Sequence, residues 1–84
     1  MTYSLLILPR AKRELAALEA GVCESIKQKI EALAEDPRPP GCRKLAGREA
    51  WRIRAGDYRV IYEIDDVART VLILHIGHRR DVYR

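Results

Sequence analysis

Trp51-Arg52-Ile53-Arg54-Ala55-Gly56-Asp57-Tyr58-Arg59-Val60-Ile61-Tyr62 is the stretch whose pattern decides the fold. Its apolar residues recur at every second position, the period of a half-buried strand. Trp51 and Ile53 alternate with Arg52 and Arg54; Val60, Tyr62 and Ile64 alternate with Arg59, Ile61 and Glu63. Between the two runs, Ala55-Gly56-Asp57 has the composition of a tight reversal. The pattern predicts a hairpin with one apolar face, leaving Arg52, Arg54 and Arg59 together on the other.

Working outward from the hairpin, Asp65-Asp66 reads as a second turn and Arg69–Ile76 as a third strand. That strand is apolar on both faces, which predicts a central or covered position. Leu72 and Leu74 are expected on the hairpin's apolar face and His75 on the arginine face. Val71 and Ile73 then fall on the open side, as apolar surface for a partner. Gly77 should end the strand, leaving His78–Arg84 as a polar tail. Upstream, Tyr3–Leu8 reads as a buried strand. Pro9 suits the first turn of a helix, with Ala11, Leu15 and Leu18 following at helical spacing. Gly21 separates this helix from a second one striped by Val22, Ile26, Ile30 and Leu33, which Asp36-Pro37 stops. The order β-α-α-β-β-β predicts an α+β fold: an N-terminal strand and helical hairpin packed on a mainly antiparallel sheet. Residues 1–84 read as a single domain.

The chain has 84 residues, 48% of them hydrophobic and 33% charged, a globular rather than a disordered composition. No apolar run reaches the roughly 20 residues of a membrane span. The N-terminus lacks a basic lead and a cleavage site, so a cytoplasmic protein is expected. Cys23 and Cys42 have no metal-ligand spacing and read as reduced thiols. The net charge of +4 arises entirely in the second half: residues 1–42 carry six basic and six acidic side chains, residues 43–84 ten and six. A basic half rich in arginine suits an anion, above all nucleic acid, because guanidinium binds phosphate oxygens in pairs.

Cleavage of RNA by its own 2′-hydroxyl needs a group to take that proton, cations for the pentavalent phosphate, and an acid for the leaving oxygen. Arginine supplies the cation but not the proton transfer, since its pKa lies above about 12. Proton work near the basic face falls to Tyr83, His78, His75 or, more distantly, Lys44. His78 reads equally as a turn residue, and His75 as a bonded structural histidine. The sequence contains no Gly-rich phosphate loop, serine elbow or metal cluster, so a metal-independent enzyme without cofactors is expected.

The ordered set Lys44-Leu45-x-Gly47, then Trp51 to Tyr62, then Ile76-Gly77-His78-Arg79-x-x-Val82-Tyr83 resembles the RelE/ParE toxin superfamily. The resemblance implies the toxin of a type II toxin–antitoxin pair. RelE-like members cut mRNA in the ribosomal A site without metal; ParE-like members poison DNA gyrase instead. Position by position, it implies that Arg59 contacts the scissile phosphate, that Arg79 stabilises the transition state or leaving group, and that Tyr83 is a general base. Arg52 and Arg54 stand where RelE members carry lysines. They are expected to act as phosphate clamps with Lys44 and Arg80, which leaves proton transfer to Tyr83 or His78. The implied partners are the ribosome, mRNA and a cognate antitoxin, in a higher-order hetero-oligomer.

Overall fold

The computed structural model describes residues 2–78, so Arg79, Arg80 and Tyr83 lie outside the described residues. The elements are β1 (Ser4–Ile7), α1 (Pro9–Ala16), α2 (Ala20–Ala32), β2 (Arg43–Lys44), β3 (Trp51–Ala55), β4 (Tyr58–Asp65) and β5 (Thr70–His78). They form one sheet in the order β1-β5-β4-β3-β2. Only β1 runs parallel to its neighbour, pairing Ser4–Ile7 with Thr70–Ile73; the other pairs are antiparallel. The expected α+β architecture is present, with β2 added as a two-residue edge strand.

The hairpin forms as its pattern requires. Ala55 pairs with Tyr58, so the loop is Gly56-Asp57, and Gly56 takes φ +62°, a conformation favouring glycine. At the next turn, the Asp65 carboxylate accepts the N–H groups of Val67 (3.0 Å) and Ala68 (2.9 Å), fixing the reversal locally. Both helices lie on one face. Ala11 and Leu15 of α1, with Ile26, Ile30 and Leu33 from α2 and its C-terminal end, pack on Ile53, Val60, Tyr62, Val71, Ile73 and Ile76. Among the described residues no helix is long and apolar enough to cross a membrane.

Three expectations are corrected. The break between the helices falls at residues 17–19, and Gly21 lies inside α2. Leu18 donates its N–H to Leu15 and turns its side chain toward the core, so burial of Leu18 sets the break. On β5 the faces are reversed: Val71 and Ile73 are fully buried under the helices, whereas Leu72 stands opposite Glu63 and Leu74 packs with Ile61 and Ala50. Four consecutive apolar residues carry no parity signal, and the ladder is irregular there: Ile61 pairs with His75 but Tyr62 with Ile73, an extra residue on β5. Gly77 does not end β5, because its backbone continues the ladder opposite Arg59 and carries it to His78.

Tyr62 is fully buried, and its hydroxyl donates to the Pro37 carbonyl at 2.7 Å, tying the loop after α2 to the sheet. Burial pushes this phenol's pKa well up, so it remains a neutral donor. Tyr62→Phe leaves a buried carbonyl without that donor. It should cost about 1–3 kcal/mol, read as a lower urea midpoint at unchanged m-value.

Candidate nucleic-acid interface

The sheet register builds the basic surface. Arg54 stands directly across from Arg59, and Arg43 directly across from Arg52. Residues two apart on a strand share a face, so all four arginines belong to one side, away from the helices. Neighbouring strands lie ~4.8 Å apart and opposed Cβ atoms about 5 Å, so the four side chains start from adjoining positions, although Arg54 also lines a cleft with Lys29 and Ala32 of α2. Arg52 is 7% exposed, the only buried charged residue among those described, with Ile61 as its neighbour on β4. Arg59 is half-buried, with its Nε enclosed, and its neighbour on β5 is Gly77.

Arg43 was absent from the sequence expectations. Its signal is the alternation Arg43-Lys44-Leu45, too short to register as a strand beside Pro39-Pro40-Gly41. Lys44 pairs with Trp51, one residue out of phase with Arg43 and Arg52, and its Nζ meets Glu49 at 3.2 Å. His78 pairs with Tyr58, and their rings meet edge to face with centroids 5.8 Å apart. That register sets His78 on the Tyr58 side of the strand, one residue out of phase with Gly77 and Arg59. His75 is not an open member of the arginine face: its Nδ1 lies 2.8 and 2.7 Å from the two carboxylate oxygens of Glu14 on α1. The structure therefore gathers Arg52, Arg54 and Arg59 with Arg43, and sets Lys44, His75 and His78 elsewhere.

The opposite end of the same sheet face is acidic and apolar. Glu49, Glu63, Asp65 and Asp66 surround a depression floored by Leu6 and Leu72. The acidic side chains come from the far end of β4, from the turn after it and from just before β3, so charge changes sign along the hairpin, from Arg54 and Arg59 to Glu63 and Asp65. Among the described residues no cluster of three His, Cys, Asp or Glu side chains is placed to hold a metal ion.

Two carboxylates elsewhere depend on pH. Burial alone would raise the Glu14 carboxyl, but bonds from the Ile76 N–H and His75 outweigh it and hold the group below the ordinary carboxylate value. Asp66 accepts both terminal nitrogens of Arg38, at 3.2 and 2.9 Å, and the Tyr3 hydroxyl at 2.7 Å. Arg38 is the chief cause that pushes Asp66 down to about 2. Both groups hold protons less tightly folded than unfolded. The stability they supply is present above the ordinary carboxylate pKa and lost as pH falls through their folded values. The urea midpoint should therefore fall between about pH 4 and 2, and Asp66→Asn should flatten the lower part of that decline.

The sequence profile of the ParE toxins of type II toxin–antitoxin systems matches residues 5–83, nearly the whole chain. The chain belongs to the RelE/ParE toxin superfamily. Toxin RelG of Mycobacterium tuberculosis is 34% identical over 100% of this chain and 99% of its own length. The mRNA interferase toxin RelE of Escherichia coli is 29% identical, covering 94% of this chain and 85% of RelE. Among solved structures, RelE in the RelE–RelB complex of Pyrococcus horikoshii superposes with a TM-score of 0.85 at 27% identity. That match covers 98% of this chain and all of the other. This RelE/ParE chain is accordingly a type II toxin, with the β-α-α and antiparallel hairpin order of its relatives.

Proposed function

We propose that this toxin is a metal-independent, ribosome-dependent mRNA endonuclease that arrests translation. The observation that carries the reading is the strand register that sets Arg43 opposite Arg52 and Arg54 opposite Arg59. Like charges directly opposite one another destabilise a sheet. A phosphate backbone suits such a row of cations, because arginine's planar fork binds phosphate oxygens in pairs. The mRNA interferase activity in the name of the E. coli relative points the same way.

In this mechanism the scissile phosphate sits against Arg59, with Arg54 and Arg52 gripping the adjoining phosphates. The 2′-oxygen attacks phosphorus as its proton passes to a base, the bond to the 5′-oxygen breaks, and that oxygen takes up a proton. Arginine stabilises the charge on the phosphoryl oxygens without exchanging protons. The base is assigned to Tyr83 rather than His78, whose register faces it toward Tyr58. Arg79 assists the leaving oxygen and Arg80 adds to the phosphate grip. A cognate antitoxin completes the system, as RelB does for RelE in the P. horikoshii complex.

Induction followed by primer extension on cellular mRNA tests the reading. Cuts within translated codons, preceding any rise in DNA-damage signalling, are the expected result. DNA-damage signalling without mRNA cuts would instead establish a gyrase poison, the reading that the ParE profile match favours. RNA binding should weaken linearly with log salt, at a slope of about −0.7 per phosphate contacted. Arg54→Ala should reduce that slope by roughly one contact.

A further inference from the structure

We infer that Glu14 is a positioning residue: its carboxylate replaces a missing strand beside the end of β5 and holds the segment that flanks Arg59. This rests on the nuclease reading for its consequence in catalysis, and on geometry alone for the hold itself.

The outer edge of β5 is paired by β1 from Thr70 to Ile73, and Leu8 adds one more bond by donating its N–H to the Ile73 carbonyl at 3.0 Å. There the pairing stops, because Pro9 turns the chain into α1. Beyond Ile73 the edge faces a helix instead of a strand, and a helix flank carries no row of backbone carbonyls to accept the next N–H. Glu14 fills that role. Its Oε1 accepts the Ile76 N–H at 2.9 Å, and both carboxylate oxygens lie within 2.8 Å of His75 Nδ1. Arg10, one helical turn earlier, donates Nε to Oε2 at 3.3 Å from a more exposed position. The carboxylate is itself held, since Glu14 precedes Leu15 and follows Ala11 by three positions, both buried in the core.

What Glu14 grips is next to the proposed phosphate site. Gly77, one residue past Ile76, stands opposite Arg59; His78, one further, stands opposite Tyr58. Without Glu14 the Ile76 N–H loses its acceptor on the outer edge of β5, and strand ends that lose such a bond open at lower free-energy cost. Displacement there moves the backbone that pairs with Arg59, and misplacing a reacting group by about 1 Å costs on the order of 100-fold in rate.

The test uses the full-length chain with Glu14→Ala, Glu14→Gln and, as a control, Arg10→Ala. Native-state amide exchange is read at Ile76–His78 and at Trp51–Ala55. A hydrogen bond to a charged group contributes about 1.5–3 kcal/mol, so Glu14→Ala should speed exchange at Ile76–His78 by roughly tenfold or more. Exchange in β3 should stay as in the wild type. Glu14→Gln, whose amide oxygen still accepts the Ile76 N–H, should recover most of the protection, and Arg10→Ala should change nothing. The single-turnover mRNA cleavage rate, taken per molecule titrated active with antitoxin, should fall at least about tenfold in Glu14→Ala and be rescued in Glu14→Gln, with ribosome affinity unchanged. Uniform acceleration of exchange, or none, overturns the hold; local acceleration with an unchanged cleavage rate overturns the positioning role. If Glu14→Ala does not fold, Glu14→Asp, one methylene short of Ile76, carries the same comparison. A wild-type protein that cuts no mRNA removes the nuclease reading, while exchange still decides whether Glu14 holds the strand.

Discussion

Arg59→Ala is expected to abolish growth arrest and to lower single-turnover mRNA cleavage by about 100-fold or more, the usual loss when one donor to a developing oxyanion is removed. The expectation comes from position. Arg59 lies mid-sheet, between Arg54 on β3, which adds positive charge, and Gly77 on β5. Arg59→Lys keeps the charge but loses the two-pronged donor, and should recover part of the rate. The fold should survive, because Arg59 belongs to neither cluster of the hydrophobic core. Urea midpoint and antitoxin affinity should therefore stay near wild type while cleavage collapses. Wild-type cleavage by Arg59→Ala would place the scissile phosphate elsewhere.

The hairpin was legible because it obeys a single rule. One face of β3 and β4 is buried and the other is charged, so alternation marks both at once. The helices were legible from Ala11, Leu15, Ile26 and Ile30, each separated by about one turn and each buried. Strand β5 was not, for the same physical reason in reverse. Val71-Leu72-Ile73-Leu74 is apolar on both faces because one face meets the helices and the other meets Ile61 and Ala50. Period 2 vanishes when both faces are covered, and an extra residue opposite Ile61/Tyr62 then moves every assignment made by counting. The arginine cluster was half legible: Arg52, Arg54 and Arg59 follow from parity, but Arg43 joins them only through pairing of a two-residue strand across a loop. Glu14 was invisible for a related reason. It sits 62 residues from the Ile76 N–H it accepts, and on a helix flank it looks like any solvated glutamate.

The second large effect is on stability, and it couples the core to the partner. Ile73 is fully buried at the centre of β5, beneath α1 and across from Tyr62 and Ile7. Ile73→Ala removes three carbons from a close-packed site and should cost about 2–5 kcal/mol. A chain of this length has on the order of 4–13 kcal/mol of stability in total, at about 0.05–0.15 kcal/mol per residue. The variant should therefore melt at least about 10 °C lower and populate unfolded chain at 37 °C. Antitoxin that binds only the folded toxin contributes RT ln(1 + [L]/Kd), about 2.7 kcal/mol at 100-fold excess over Kd. Co-expression should thus raise the yield of soluble Ile73→Ala protein, and stripping the antitoxin should return it to its lower melting temperature. Leu72→Ala is the internal control. It differs by one position and by a similar volume, but Leu72 stands on the other face opposite Glu63 and is only partly buried. Its cost should be the smaller by at least about 1 kcal/mol. Equal losses at the two positions would mean that both faces of β5 are packed alike, and that the reversed strand register described above is wrong.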